Sequence, residues 1–266
     1  MRLHGIDFTS APGRRKPITI ASGTLRGDIF MLETLTPLHD FDAFEAWLMQ
    51  PGPWLGAFDF PFSFPRELIE QLAWPTAWPA LIEHVATQSR LSLQTAFRAF
   101  CDARPAGNKF AHRATDFPAG SSSPMKWVNP PVAYMLHAGA PRLLAAGVSI
   151  PGMHAGDPQR IAMEGYPGMV ARSITKASYK NDDRAKQTTE RRIARERIVE
   201  ALEQGANRFG ITVDASGHRN ALIDDPSGDW LDALLCAVLA AWALQRRGAD
   251  FGLPPHDALE GWIVGA

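Results

Sequence analysis

Asp7 ends a short apolar run, His4-Gly5-Ile6-Asp7, where the chain passes into Phe8, Thr9 and Ser10. A carboxylate at the tip of an N-terminal strand is expensive to bury unless something uses its charge. Other acidic groups recur in the same setting. Asp59 ends Trp54-Leu55-Gly56-Ala57-Phe58, Glu164 ends Arg160-Ile161-Ala162-Met163, and Asp229 and Asp232 open a long apolar helical pattern. Hard divalent cations need several carboxylate oxygens brought together from separate elements. Asp229 and Asp232, three apart, share one helix face. Ligands that are all oxygen favour Mg²⁺ or Mn²⁺ over zinc. Plainer accounts stand beside this one. Asp7 and Asp59 could be turn residues bonded to backbone, and Asp229 could serve only the helix dipole. Glu164, before Gly165 and Pro167, could be a loop-edge residue. Asp232 lies deeper in the apolar helix and fits none of these.

A basic stretch follows the last of the strand-end carboxylates. Residues 172–197 hold nine basic and four acidic residues, a net of +5 in a chain of net −1, so the remainder carries −6. Arg172, Lys176, Lys180 and Arg184 are spaced by four and would line one face of a continuous helix. Tyr179 between them could stack on a base. Such a face suits phosphates beside an acidic site. Further along, Glu190, Arg191, Glu196 and Arg197 read as a solvated helix with internal ion pairs. Lys109, His112 and Arg113 lie in a loop beside Asp116, either a cationic loop facing substrate or ordinary surface. Trp54, Trp74, Trp78 and Trp127 read as core anchors.

Composition narrows the field. The 266 residues are 45% hydrophobic, enough for one large domain. Eight histidines are scattered without zinc-type spacing, and no Ser-His-Asp or Cys-His arrangement competes with the carboxylates. Cys101 and Cys236 sit inside apolar helical patterns and read as reduced core residues of a cytoplasmic protein. No signal-type apolar segment opens the chain. The longest apolar run, 230–244, is interrupted by Asp232 and falls short of the roughly 20 residues that span a bilayer, so no membrane partner is expected.

The elements that must position these groups follow from periodicity. Residues 2–8, 17–24 and 28–35 read as strands, the last two joined by a hairpin-like link. Residues 40–50 read as a helix capped by Asp40, and 54–58 as a short buried strand. Pro61 and Pro65 break the chain. Residues 66–104 are helical in pieces, 105–125 form a loop rich in Gly, Pro and Ser, and 126–146 include another helix. A strand resumes at 160–164, then a charged helix at 182–204 and an apolar helix at 227–247 with Ser227 as its cap. The pattern predicts a single α/β domain over 1–266 with a helical and loop insertion at 66–155.

In this order the pieces resemble the ribonuclease-H-like fold: an acidic first strand, a hairpin, a helix, an acidic fourth strand end, and Asp-x-x-Asp opening a C-terminal helix. More narrowly, Gly5-Ile6-Asp7, Asp59-Phe60-Pro61-Phe62, Glu164-Gly165-Tyr166-Pro167 and the stretch from Asp229 to Ala237 resemble a domain-of-unknown-function family of predicted ribonuclease-H-like nucleases. Gly107-Asn108-Lys109-Phe110-Ala111-His112-Arg113 is similar to it as well. The resemblance implies a mixed five-stranded sheet flanked by helices, with the first and fourth strands side by side and Asp7 next to Asp59. It implies metal-dependent cleavage of nucleic acid by Asp7, Asp59, Glu164 and Asp232. Asp7 and Asp59 would hold one Mg²⁺ or Mn²⁺, and Asp232 with Asp229 or Glu164 would complete a second site. Lys176, Tyr179, Lys180, Arg184, Lys109 and Arg113 would contact substrate. Two rivals remain. An actin-like ATPase or phosphotransferase would bring two related domains and glycine-rich phosphate loops, neither of which is visible here. A non-catalytic nucleic-acid or protein scaffold would keep the acidic rim without turnover.

Overall fold

A computed structural model describes every residue except Asp182; the side chain of Arg184 also lies outside the described residues. The chain opens with β1 (Arg2–Asp7), β2 (Ile18–Arg26) and β3 (Ile29–Leu38), and Gly27 takes φ 64° in the tight turn between the last two. The helix α1 (Phe41–Leu48) starts where the Asp40 side chain accepts the Ala43 N–H at 2.8 Å, and leads to β4 (Trp54–Asp59). Then come α2 (Arg66–Gln71), α3 (Trp78–Thr87), α4 (Arg90–Asp102), α5 (Asp116–Ala119) and α6 (Val132–Ala145). The chain continues with β5 (Val148–Ser149), β6 (Asp157–Glu164), α7 (Pro167–Ile174), α8 (Thr189–Glu203), β7 (Thr212–Asp214), α9 (Arg219–Asp224) and α10 (Asp229–Gln245).

The strands form one seven-stranded mixed sheet in the order β5-β6-β4-β1-β2-β3-β7. β2 is antiparallel to both β1 and β3, and every other neighbouring pair is parallel. The expectation of five strands is therefore corrected to seven. The two added strands, β5 and β7, lie at the edges and are two and three residues long, too short to show a period of two in the sequence.

Alternation along the strands divides the core. Leu3, Leu55, Ala57, Ile161 and Met163 pack on one face with α7, α8, α9 and α10. Ile6, Trp54, Phe58 and Ala162 pack on the other with α1, α2, α3, α4 and α6. Both faces of the sheet are thus covered, which is why β1 is buried from Leu3 to Asp7 rather than alternating in exposure. Segment 66–155 supplies most of the second helical layer. Cys101 and Cys236 are both buried free thiols. Among the described residues, no helix is long and apolar enough to cross a membrane.

Two helical expectations change. α7 ends at Ile174, and among the described residues between it and α8 the only helical turn is a 3-10 turn over Arg184–Lys186. Arg172, Lys176, Lys180 and Arg184 therefore share no continuous helix face. Side chains in this stretch take backbone donors that a helix would need: Thr175 Oγ1 accepts from Ala177 N, Asn181 Oδ1 from Asp183 N, and Asp183 Oδ1 from Ala185 N. At the start of α10, Ser227 is not the cap. Gly228 holds the cap position at φ 75°, and Asp225 accepts the Trp230 N–H and the Ser227 hydroxyl.

Candidate metal centre

β1 and β4 run parallel with Asp7 paired to Asp59 in register. Paired residues of neighbouring strands project to the same face, here the face covered by α10. The helix lies unusually close to β1. A Cβ on Gly5 would stand 1.9 Å from Ala233 O and 2.1 Å from Ala237 N, so only glycine lets the backbones touch there. That approach brings Asp232, in the first turn of α10, over the two strand ends. Asp7, Asp59 and Asp232 each present a carboxylate oxygen, and these oxygens lie within 4.8 Å of one another.

The triad is costly as it stands. Asp232 is fully buried and Asp7 is 7% exposed. Burial, and then the charges of Asp232 and Asp229, push the Asp7 carboxyl well above the usual range. Burial, followed by Asp232, pushes Asp59 up to about 7. Neither carboxylate accepts a hydrogen bond from any described residue. A buried acid without donors holds its charge only beside a cation. The donor set is oxygen alone and comes from three separate elements, and it is close enough to bind a metal ion.

Asp232 differs from the other two. Tyr179 donates its hydroxyl to Oδ1, and the Lys180 ammonium pairs with Oδ2. Burial keeps the Tyr179 hydroxyl protonated, aided by the Asp232 charge. Burial opposes the charge on Lys180, but Asp232 with Tyr179, Asp7 and Asp59 outweighs it and holds the amine well above its ordinary value. The backbone that carries this pair is tied down. Arg195, buried in α8, donates to Tyr179 O at 2.7 Å and to Ile223 O at 2.7 Å, and Asn181 N donates to Pro226 O at 3.3 Å.

The structure does not bring Glu164 into the triad. Glu164 pairs in register with Phe58, not Asp59, and that one-residue offset aims its side chain toward the opposite face. There it accepts the Phe62 N–H at 2.9 Å and both terminal nitrogens of Arg113 at 2.7 and 2.6 Å. Arg113 is 1% exposed and also donates to Asp116 Oδ1 at 2.9 Å. It is a buried cation between two carboxylates, and both it and Glu164 border the same cleft as Asp7 and Asp59. Asp229 lies beside the triad, with Lys16 Nζ 3.7 Å from Oδ1, while its backbone carbonyl accepts the Thr19 hydroxyl at 2.9 Å.

A cleft of about 910 Å³ opens over Asp7 and Asp59, with Lys16, Arg172, Lys176 and Lys180 on its walls. Lys176 is exposed on this wall. Lys109 is exposed but does not line the cleft, and the Arg184 side chain lies outside the described residues. Sequence reasoning overlooked Lys16 and Arg195. Lys16 had a faint signal, the Arg14-Arg15-Lys16 run immediately before β2. Arg195 had none, because nothing in a charged helix marks which arginine turns inward. Comparison with family models, curated proteins and solved structures returns no match.

Proposed function

We propose that the chain is a metal-dependent phosphodiesterase acting on nucleic acid, built on a ribonuclease-H-like core. The observation that carries this reading is the triad: Asp7 and Asp59, without donors among the described residues, line a cleft with cationic walls, and Asp232 from α10 is buried against them. The fold supports it in one respect: β1 lies beside β4, the neighbouring placement of first and fourth strands that the resemblance implies. Asp7, Asp59 and Asp232 would hold Mg²⁺ or Mn²⁺. A bound ion of this kind supplies an activated water and stabilises charge on the leaving oxygen.

The chain's own groups have distinct tasks in this scheme. Asp7 and Asp59 would hold the ion as carboxylates, giving up to solvent any proton that burial keeps on them. Lys176 and Arg172 sit where phosphates flanking the scissile one would rest. Tyr179 orients Asp232 through its hydroxyl and is held in place by Arg195. Glu164 and Arg113 lock the Phe62 backbone beside β4 and so steady the loop that follows Asp59. Incubation with single- and double-stranded DNA and RNA in Mg²⁺ or Mn²⁺ tests the reading. Cleavage that stops with chelator and with Asp7→Asn supports it, and no cleavage of any of the four overturns it.

One observation favours a second reading, a non-catalytic binding scaffold. Asp232 already has a hydrogen-bond donor and a counter-ion from its own chain. On that reading nucleic acid or protein still binds the cleft, and chelator leaves the binding unchanged.

A further inference from the structure

We propose that the carboxylate triad takes one divalent ion per chain, with the Lys180 ammonium serving as the second positive charge in place of a second ion. The inference rests on the metal-dependent reading above and fixes its stoichiometry.

Among the described residues, Asp7 is a side of the triad with no ion pair. It is 7% exposed, lines the cleft and accepts no hydrogen bond from any described residue. Asp232 is the side that already has one, since Lys180 pairs with one oxygen and Tyr179 donates to the other. Three ionised carboxylates and one ammonium sum to −2, which a single divalent ion cancels. A second divalent ion would leave the same pocket at +2. Two-ion sites also need their ions about 3.5–4 Å apart on shared carboxylates. The Lys180 ammonium already pairs with Asp232 Oδ2, an oxygen a second ion would have to share, and like charges so close repel.

The Lys180 side chain is 40% exposed, yet its backbone is held in place. Its stem packs over Gly228, where an added Cβ would stand 2.8 Å from Lys180 Cβ, and Gly228 has φ 75° at the start of α10. The residues on either side are fixed, Tyr179 by Arg195 and Asn181 by Pro226. The same turn that starts α10 therefore sets both Asp232 and the cation paired with it.

Mn²⁺ titration of the whole chain, followed by calorimetry and by loss of the free-ion electron paramagnetic resonance signal, reads the stoichiometry without any activity assay. We expect one ion per wild-type chain, two for Lys180→Met, and one for Lys180→Arg, which keeps the charge. Two ions on the wild-type chain overturn the proposal even if no variant folds. One ion on a folded Lys180→Met chain also overturns it. If no chain binds Mn²⁺, the metal-dependent reading itself fails, which is a separate outcome from a count of two.

Discussion

Asp7 and Asp59 face each other across the parallel β1–β4 pair, one residue beyond the apolar pair Ile6 and Phe58. Ile6 and Phe58 lie on the face packed by α1 and the helices of 66–155, and the two acids turn to the α10 face. A shift of one residue in either strand would exchange them. The phenylalanine and isoleucine thus do more than fill the core: their burial fixes the register that makes the acids neighbours.

Gly5 sets the height of α10 above that pair. Gly5→Ala forces a Cβ into Ala233 O and Ala237 N, and both are backbone atoms that cannot rotate away. The helix must move or the strand must bend, and we expect a loss of about 3 kcal/mol or more, at or beyond the upper end of overpacking costs. Urea unfolding measures it. A variant with an unchanged midpoint would show that the helix rides on other contacts.

Asp59→Asn should stabilise the metal-free protein, and the gain should depend on pH. The native carboxyl titrates at about 7, against 3.8 for an unperturbed aspartate. Between those values the folded chain keeps a proton that the unfolded chain releases, so metal-free stability rises as pH falls from 7 toward 4. The penalty is complete above pH 7, where the amide removes it. We expect Tm to rise by about 3–6 °C for the variant at pH 8, with the gain shrinking toward pH 5. Millimolar Mn²⁺ should reverse the order by raising the wild-type Tm alone. A variant less stable than wild type at pH 8 without metal would contradict the electrostatic account of the site.

Much of this arrangement was legible in advance, and the limits have physical causes. β1, β4 and α10 are near-continuous apolar runs, so the acids at their ends stood out against them. Glu164 ends an equally clear strand, but strand ends do not reveal register, and a one-residue offset sends it to Arg113. The spacing of Arg172, Lys176 and Lys180 suggested a helix. Thr175, Asn181 and Asp183 break it by bonding locally to backbone. Lys180 reaches the site regardless, through a loop that no periodicity describes.

Arg113→Met should damage the fold. The guanidinium is shared between Glu164 and Asp116, and all three side chains are buried. Removing the cation leaves two carboxylates without compensation, which costs about 3–5 kcal/mol for a buried pair. Among chains that remain folded, Mn²⁺ binding should persist, because the triad does not include Glu164. Denaturation and metal titration of the same preparation separate the two effects. Loss of metal binding with full stability would move Glu164 into the metal centre.

Lys176 and Lys109 provide a paired test of where a polyanion lies. Both are exposed, and both were candidates from sequence, but only Lys176 lines the cleft. A phosphate held by one lysine releases about 0.9 counter-ion from duplex DNA and about 0.7 from a single strand. Lys176→Ala should therefore shallow the plot of log affinity against log salt by nearly one unit, while Lys109→Ala leaves the slope unchanged. Asp7→Asn keeps the protein from cleaving its ligand during the measurement and serves as the common background for both variants. Equal slopes for the two lysine variants would place the bound strand outside the cleft, and the cationic wall beside the triad would then have no part in recognising it.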